Sequence, residues 1–273
     1  MQLVSFDALR TLGLPNIRYI KPEKMNEHLD VLLDADGLLF PQFWQLNGLE
    51  YGLKQRIFPS PASYRIGHDK VEQTRCFQLL APQHTPYTLI AANTDAEAQR
   101  LWAQMALPFV AKIPRSSMGE GVFLIQSEQD WQQYCQRSPL LYVQEYLPID
   151  RDLRIVWVGQ EVVGGFWRMQ SDNGFHTNLA RGGEARSGVL PDAAVNLVKQ
   201  LAQGLNIDHG GFDIAMVGQY PFVLEFNRLF GNQGYPDLQR QVDDAICRYL
   251  YSQWGKPEPD DPTGPLGPWP SAV

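Results

Sequence analysis

Two hydrophobic periods run through this chain. A period of two marks a strand with one buried face. It is clearest in two late segments, Gly211 to Met216 and Pro221 to Asn227, joined by Val217-Gly218-Gln219-Tyr220. Phe212, Ile214 and Met216 make one apolar set, and Phe222, Leu224 and Phe226 make the other. If the two segments pair as a hairpin with both sets in one core, a single parity of register is allowed. That parity gathers Asp213, Glu225 and Asn227 on the opposite face. A helical period appears in Val71 to Leu80, in Ala96 to Met105, and from Ser127 through Cys135. It returns at Val195, Val198, Leu201, Ala202 and Leu205, and in Pro236 to Trp254 with Leu238, Val242, Ile246, Tyr249 and Leu250 inward. Asp69, Thr94 and Ser127 stand at N-cap positions, and Glu72 and Glu97 complete capping-box spacing after the first two.

The first 66 residues predict a small α/β unit. Leu3 to Phe6, Asn16 to Ile20 and Leu38 to Phe40 look like strands. Asp7 to Leu12 predicts a short helix stopped by Gly13 and Pro15, and Gln42 to Lys54 predicts another helix. Pro59-Ser60-Pro61 marks a boundary. Further on, Pro108 to Ile125 reads strand, small-residue loop, strand. Leu141 to Leu147 is an apolar strand ending at Pro148. Arg151-Asp152-Leu153-Arg154 is a charged loop entering a strand that ends at Gly159, with Glu161 to Phe166 as its hairpin partner. From Lys256 onward, six prolines predict a disordered tail over 256–273.

Charge narrows the function classes. The chain carries 23 Lys and Arg against 30 Asp and Glu, a net charge of −7. No general nucleic-acid footprint is present. An acidic protein that binds polyphosphate must concentrate its basic residues locally, so each Lys and Arg is informative. Cys76, Cys135 and Cys247 lie far apart. That fits a reducing cytoplasm and neither a disulfide frame nor a zinc site. The N-terminal stretch lacks a basic segment followed by an apolar run, so no signal peptide is expected. No apolar run approaches the roughly 20 residues of a membrane span.

Chemistry concentrates in a few places. Asp213, Glu225 and Asn227 offer two carboxylates and an amide oxygen with no Lys or Arg among them. Such a set repels itself unless a cation sits in it, and hard oxygen donors suit Mg²⁺ or Mn²⁺ with phosphate oxygens completing the shell. The same pattern also describes an ordinary amphipathic hairpin with a solvated acidic face. Lys112 ends a strand before Ser116, Ser117, Gly119 and Gly121, a flexible loop whose backbone amides can wrap a phosphate. It is neither a Walker loop nor the dinucleotide fingerprint. Lys70 stands at a helix start, where the dipole and a cation would both face an anion, although a lysine there taken by itself reads first as a solvated one. The end of the Leu141 to Leu147 strand can offer backbone groups to a purine edge. Arg168 and Arg181, the latter before Gly182-Gly183, are suited to phosphoryl oxygens.

In order, a lysine, a Gly/Ser loop, Val-Gln-Glu-Tyr, Arg-Asp-Leu-Arg, Asn-Leu-x-Arg-Gly-Gly, Gly-x-Asp and Leu-Glu-x-Asn follow one another. This succession resembles the ATP-grasp superfamily, and within it the RimK-type glutamate ligases and glutathione-synthetase-like enzymes. The resemblance runs from about Gly67 to Tyr235. It implies an α+β ATP-grasp fold over 67–255, with a small subdomain near 80–147 and a large one near 148–255, behind the N-terminal unit 1–66. It implies that Lys70 and Lys112 reach phosphates or adenine, and that the Ser116 to Gly121 loop closes over the phosphates. Gln144, Glu145, Tyr146 and Leu147 would line the adenine edge, and Asp152 would approach the ribose. Asn178 and Arg181 would sit by the transferred phosphate with Arg154 and Arg168 nearby. Asp213, Glu225 and Asn227 would be the metal ligands.

The implied activity is a cytoplasmic, ATP- and Mg²⁺-dependent ligation of a carboxylate to an amine, on small-molecule or peptide substrates, in a chain that can be a homo-oligomer. Alternatives are an ATP-binding sensor without ligase activity and an ATP-grasp phosphotransferase. The chain departs from the family at Asn227-Arg228-Leu229-Phe230-Gly231-Asn232, where small residues then Pro-Gly are usual. It departs again at Ala180, where the RimK-type pattern often has His. Both departures bear on the substrate.

Overall fold

A computed structural model describes residues 1–115, 121–170, 184–232 and 235–255. The tail over 256–273, for which the sequence predicts disorder, lies outside them. Among the described residues, three sheets organise the chain.

The first sheet contains β1 (Leu3–Ser5), β2 (Ile17–Tyr19), β3 (Gly37–Leu39) and β4 (Ile57–Phe58), all parallel in the order β2-β1-β3-β4. The predicted strands are present, but their connections differ from the sequence reading. Asp7 to Leu12 forms turns, not a helix. The Asp7 carboxylate accepts from the backbone N–H groups of Leu9 and Arg10, which bends the chain at once and competes with helical pairing. Gln42 to Lys54 breaks into a 3₁₀ turn at Phe43–Gln45 and a π turn at Gly48–Gly52. A 3₁₀ segment at Pro22–His28 leading into α1 (Leu29–Asp34) was not anticipated. Val4, Phe6, Leu32, Leu38, Leu49 and Tyr64 form the local core. After it, α2 (Pro61–Ile66) is capped by Ser60, whose hydroxyl accepts from Ser63 N–H.

α3 (Lys70–Leu80) begins as expected, with the Asp69 carboxylate accepting from Val71 N–H at 2.8 Å. Glu72 instead pairs with Arg75 on the surface. The second sheet holds β5 (Thr88–Ala92), β6 (Phe109–Lys112), β7 (Val122–Ile125) and β8 (Leu140–Glu145), antiparallel in the order β5-β8-β6-β7. α4 (Asp95–Gln104) and α5 (Glu128–Arg137) cover it through Leu101, Trp131 and Tyr134. Thr94 caps the first, and Ser127 with Asp130 forms a full capping box on the second.

The third sheet carries β9 (Arg151–Val158), β10 (Glu161–Met169), β11 (Glu184–Arg186), β12 (His209–Val217) and β13 (Tyr220–Asn227), antiparallel in the order β11-β10-β9-β12-β13. Arg151 to Arg154, read as a loop, is already strand. One face packs Leu153, Ile155, Phe212 and Ile214 against Phe77 of α3 and Leu197, Val198 and Leu201 of α6 (Asp192–Gly204). The other packs Val156, Val158 and Phe166 against α7 (Pro236–Trp254) and against Leu39 and Phe58 of the first sheet.

The β12–β13 hairpin keeps the expected parity at one end and loses it at the other. Gly211 pairs with Asn227 and Asp213 with Glu225, but Ile214 pairs with Val223. Leu224 is therefore the extra residue of a bulge. Val223 enters the core, while Leu224, predicted inward with Phe222 and Phe226, lines the cleft described below.

Candidate functional site

Sheet register builds the site. Arg154 on β9 stands opposite Asp213 on β12, which stands opposite Glu225 on β13. Asp152, two residues from Arg154 and hence on the same face, stands opposite Arg168 on β10. Arg154 donates Nε and Nη2 to Asp213 at 2.5 and 3.2 Å. Arg168 donates Nε and Nη2 to Asp152 at 2.7 Å each, and its Nη2 lies 3.0 Å from Asp213 Oδ2. All four side chains are buried. Two guanidiniums and two carboxylates compensate one another, which is the condition for burying charge. Burial would weaken the Arg168 proton, but Asp213 and Asp152 outweigh it and hold the group more firmly charged. The expectation of an acidic face without bases is thus corrected. Cross-strand neighbours on β9 and β10 supply the bases, which the hairpin's own parity could not reveal.

Glu225 has a different setting. Its Oε2 lies 3.4 Å from Lys70 Nζ, and its Oε1 accepts from Asn227 Nδ2 at 3.3 Å. Burial would raise its pKa, but Lys70 and Lys112 prevail and draw it down to about 2. Lys112 is itself buried and donates to Gln144 Oε1 at 2.8 Å, beneath the Tyr142 ring. Burial lowers its pKa to about 8, with Glu225 opposing and Lys70 assisting. Gln144 Nε2 in turn donates to Thr88 Oγ1 at 2.9 Å.

These groups line one cleft of about 600 Å³ between the second and third sheets. That is within the ordinary range for small-molecule sites. It brings together Lys70, Lys112, Gln144, Glu145, Tyr146, Leu147, Asp152, Arg154, Arg168, Asp213, Glu225 and Asn227, all selected from sequence. Asp152 gives both carboxylate oxygens to Arg168, and Glu145 Oε1 accepts from Tyr87 N–H at 2.7 Å. Gly121 accepts from Ile113 N–H through its carbonyl, closing the base of its loop. Ser116, Ser117, Gly119, Asn178 and Arg181 lie outside the described residues.

Several cleft residues were not singled out beforehand. Gln73 lies within the helical stretch of α3, and its Oε1 accepts from Phe226 N–H at 2.9 Å, tying α3 to β13. A glutamine on a buried helix face is the signal that could have found it. Leu224 enters by way of the bulge, for which the sequence holds no glycine marker. His68, stacked on Phe43 with centroids 3.9 Å apart, joins from the N-terminal side.

Among the described residues no group of three or more His, Cys, Asp or Glu side chains is gathered as a metal cage. Glu225, ionised at neutral pH, and the adjacent Asn227 amide are hard oxygen donors of the kind Mg²⁺ takes. Asp213, facing Glu225, has its oxygens turned to Arg154 and Arg168. Among the described residues no helix is long and apolar enough to cross a membrane.

Comparison with known proteins agrees with this geometry. The chain is 32% identical over 171 residues to a probable alpha-L-glutamate ligase of Enterobacter sp. (strain 638), covering 60% of this chain and 57% of the relative. It is 30% identical over 171 residues, with the same coverage, to a ribosomal protein bS6–L-glutamate ligase of Salmonella newport. The chain thus spans 57% of the length of these curated relatives. Among solved structures, a RimK domain ATP-grasp protein from Sphaerobacter thermophilus superposes with a TM-score of 0.69 at 15% identity, covering 91% of this chain and 99% of that one. A D-alanine–D-alanine ligase from Bacillus anthracis gives 0.67 at 12% identity, covering 93% and 99%. At these identities the structures establish the ATP-grasp fold. Residues 69–250 match the RimK-like ATP-grasp domain, and the chain belongs to that family.

Proposed function

We propose that the chain is an ATP-dependent ligase that joins a carboxylate to an amine through an acyl phosphate. The observation that carries this reading is the convergence of two lysines, two arginines and the Glu225–Asn227 pair on one cleft of nucleotide scale. In this reading the strand end at Gln144 to Leu147 holds the adenine, and Lys70 and Lys112 hold phosphates. Asp152 keeps Arg168 in place beside the ribose end. A substrate carboxylate oxygen attacks the γ-phosphorus and ADP leaves. An amine then attacks the acyl carbon, phosphate leaves, and the amine loses a proton. The reactants are like-charged, so in this reading the guanidinium edges of Arg154 and Arg168 that are not turned to Asp213 and Asp152 face the developing negative charge. Glu225 and Asn227 would hold a divalent ion, with Asp213 beside them, and that ion would neutralise phosphate charge.

Asn178, Arg181 and the Ser116, Ser117, Gly119 and Gly121 loop belong to the same proposal as phosphate contacts. So do the division at 66/67 and 147/148 and a homo-oligomeric state. The relatives named as glutamate ligases support an amino acid as one partner and a peptide or small molecule as the other. Three free cysteines suit a reducing cytoplasm.

The test is product analysis of the purified chain with ATP, Mg²⁺ and panels of acids and amines. Equal ADP and phosphate, released when an acid and an amine are both present, is the expected result. Hydroxylamine in place of the amine should trap a hydroxamate. A stable phosphorylated product would make the chain a phosphotransferase, and nucleotide binding without turnover would make it a sensor.

A further inference from the structure

Among the described residues, the cleft contains one guanidinium whose charge is handled differently from the rest. Arg115, Arg154 and Arg168 each pair with a carboxylate. Among the described residues, Arg228 pairs with none. Its Nη1 donates to the Gly67 carbonyl at 3.0 Å, and its Nε is buried with no partner among the described residues. The guanidinium carbon lies 5.1 Å from the Tyr64 ring centre and 5.9 Å from that of Phe43. Both rings belong to the N-terminal unit. They steady a cation and attach it to the cleft wall without neutralising it.

The Arg228 charge is felt by its neighbour. His68, stacked on Phe43, has its pKa lowered by burial and then by Arg228 and Arg115. Leaving a half-buried guanidinium uncompensated is costly, and a donor aimed at nothing adds to that cost. A ligand that brings an oxyanion to the open edge of the guanidinium removes the larger penalty, the uncompensated charge. Arg228 directly follows Asn227, so such a ligand would lie beside the Glu225–Asn227 pair. Leu224, Leu229 and Phe230 give that end of the cleft an apolar wall.

We propose that Arg228 is a specificity-determining residue for one of the two substrates other than ATP, selecting one that carries an oxyanion, a carboxylate or a phosphate, which the reaction does not consume. This rests on the ligase reading for the word substrate, while the anion site itself stands on the geometry above. The fork of Arg228 binds that group, and the apolar wall receives the short chain bearing it.

The test uses the full chain labelled with ¹⁵N and follows arginine Nε–H signals, with the Arg228 signal assigned by its loss in Arg228→Lys. Acetate, glutarate and inorganic phosphate are titrated, with and without a non-hydrolysable ATP analogue and Mg²⁺. The expected result is a saturable shift of the Arg228 Nε–H signal. Response to the carboxylates or to phosphate identifies which oxyanion is selected. Calorimetry should show glutarate or phosphate binding about 10–100-fold weaker in Arg228→Met, the loss of a charge-assisted bond. Arg228→Lys should restore part of it. No shift with any probe, or unchanged affinity in Arg228→Met, overturns the proposal. So does a shift that the nucleotide analogue saturates by itself, because Arg228 would then be a nucleotide contact. The signal is assigned with the conservative Arg228→Lys and read on the unsubstituted chain, so poor folding of Arg228→Met leaves the decision intact. Product analysis with ATP, acid and amine tests the ligase reading separately, and that reading can fail while the anion site holds.

Discussion

Asp213 and Glu225 face each other across one pair of strands, yet they belong to different electrostatic circuits. Asp213 is locked between Arg154 and Arg168 in a buried group that compensates itself. Glu225 looks into the cleft, held ionised by Lys70 and Lys112. Side-chain parity decides which face a residue occupies. The strands on either side decide what it meets there, and β12 has a neighbour on both sides while β13 is an edge. The carboxylate on the inner strand is therefore braced, and the one on the edge strand is left to meet a ligand.

The contrast can be broken by substitution. Glu225→Ala should have the largest effect on chemistry, removing Mg²⁺-dependent turnover by about a hundredfold or more. Circular dichroism should show an unchanged fold. Undiminished Mg²⁺-dependent ADP release would sink the metal assignment. Asp213→Ala should instead act on folding. It strips Arg154 of its carboxylate and leaves Arg168 with Asp152 alone, at a cost of about 3–5 kcal/mol. Urea denaturation reads this directly, and a loss below about 1 kcal/mol would mean that Asp213 braces nothing.

Next in size is a pH effect carried by Lys112. Its folded pKa, about 8, lies below its unfolded value because burial disfavours the charge. The penalty on stability is full below pH 8 and fades as pH rises from 8 toward the unfolded pKa. Nucleotide affinity should move the other way. As pH climbs past 8 the free protein loses the ammonium that meets phosphate, and affinity should fall by up to about tenfold per unit. Lys112→Arg stays charged and should flatten that limb; an identical decline in the variant would exclude Lys112 as its source.

A last, purely steric effect concerns the brace behind Arg228. A Cβ at Gly67 would lie 2.6 Å from the Ser63 carbonyl oxygen and 3.1 Å from Arg228 Cβ. Gly67→Ala should therefore cost about 1–3 kcal/mol by overpacking. A neutral result in thermal unfolding would show that the α2–α3 junction can shift.

The same contrast explains what could be read from the sequence. Except for β5 and β11, which the sequence reading did not name, the strands and helices of the second and third sheets were legible because their apolar periods are strong and their caps, Asp69, Thr94 and Ser127, are real. The cleft residues were legible because motif order names them independently of geometry. The N-terminal unit was harder. Its parallel strands are two or three residues long, too short for a period, and Asp7 bends the chain with side-chain bonds that resemble a helix cap. Sheet order was not legible, so the partners of Asp213 were not either. Arg228 was visible as a departure from the family, but its rings lie 164 and 185 residues earlier in the chain, at Tyr64 and Phe43.

The inserted residue at Leu224 separates shape from charge. Because the extra position is accommodated locally, deleting it would return β13 to simple alternation and keep Asp213 opposite Glu225. The hollow would lose an oily floor and keep its ionic equipment. Variation at this one position can thus retune what fits inside while the phosphate-handling apparatus is inherited unchanged.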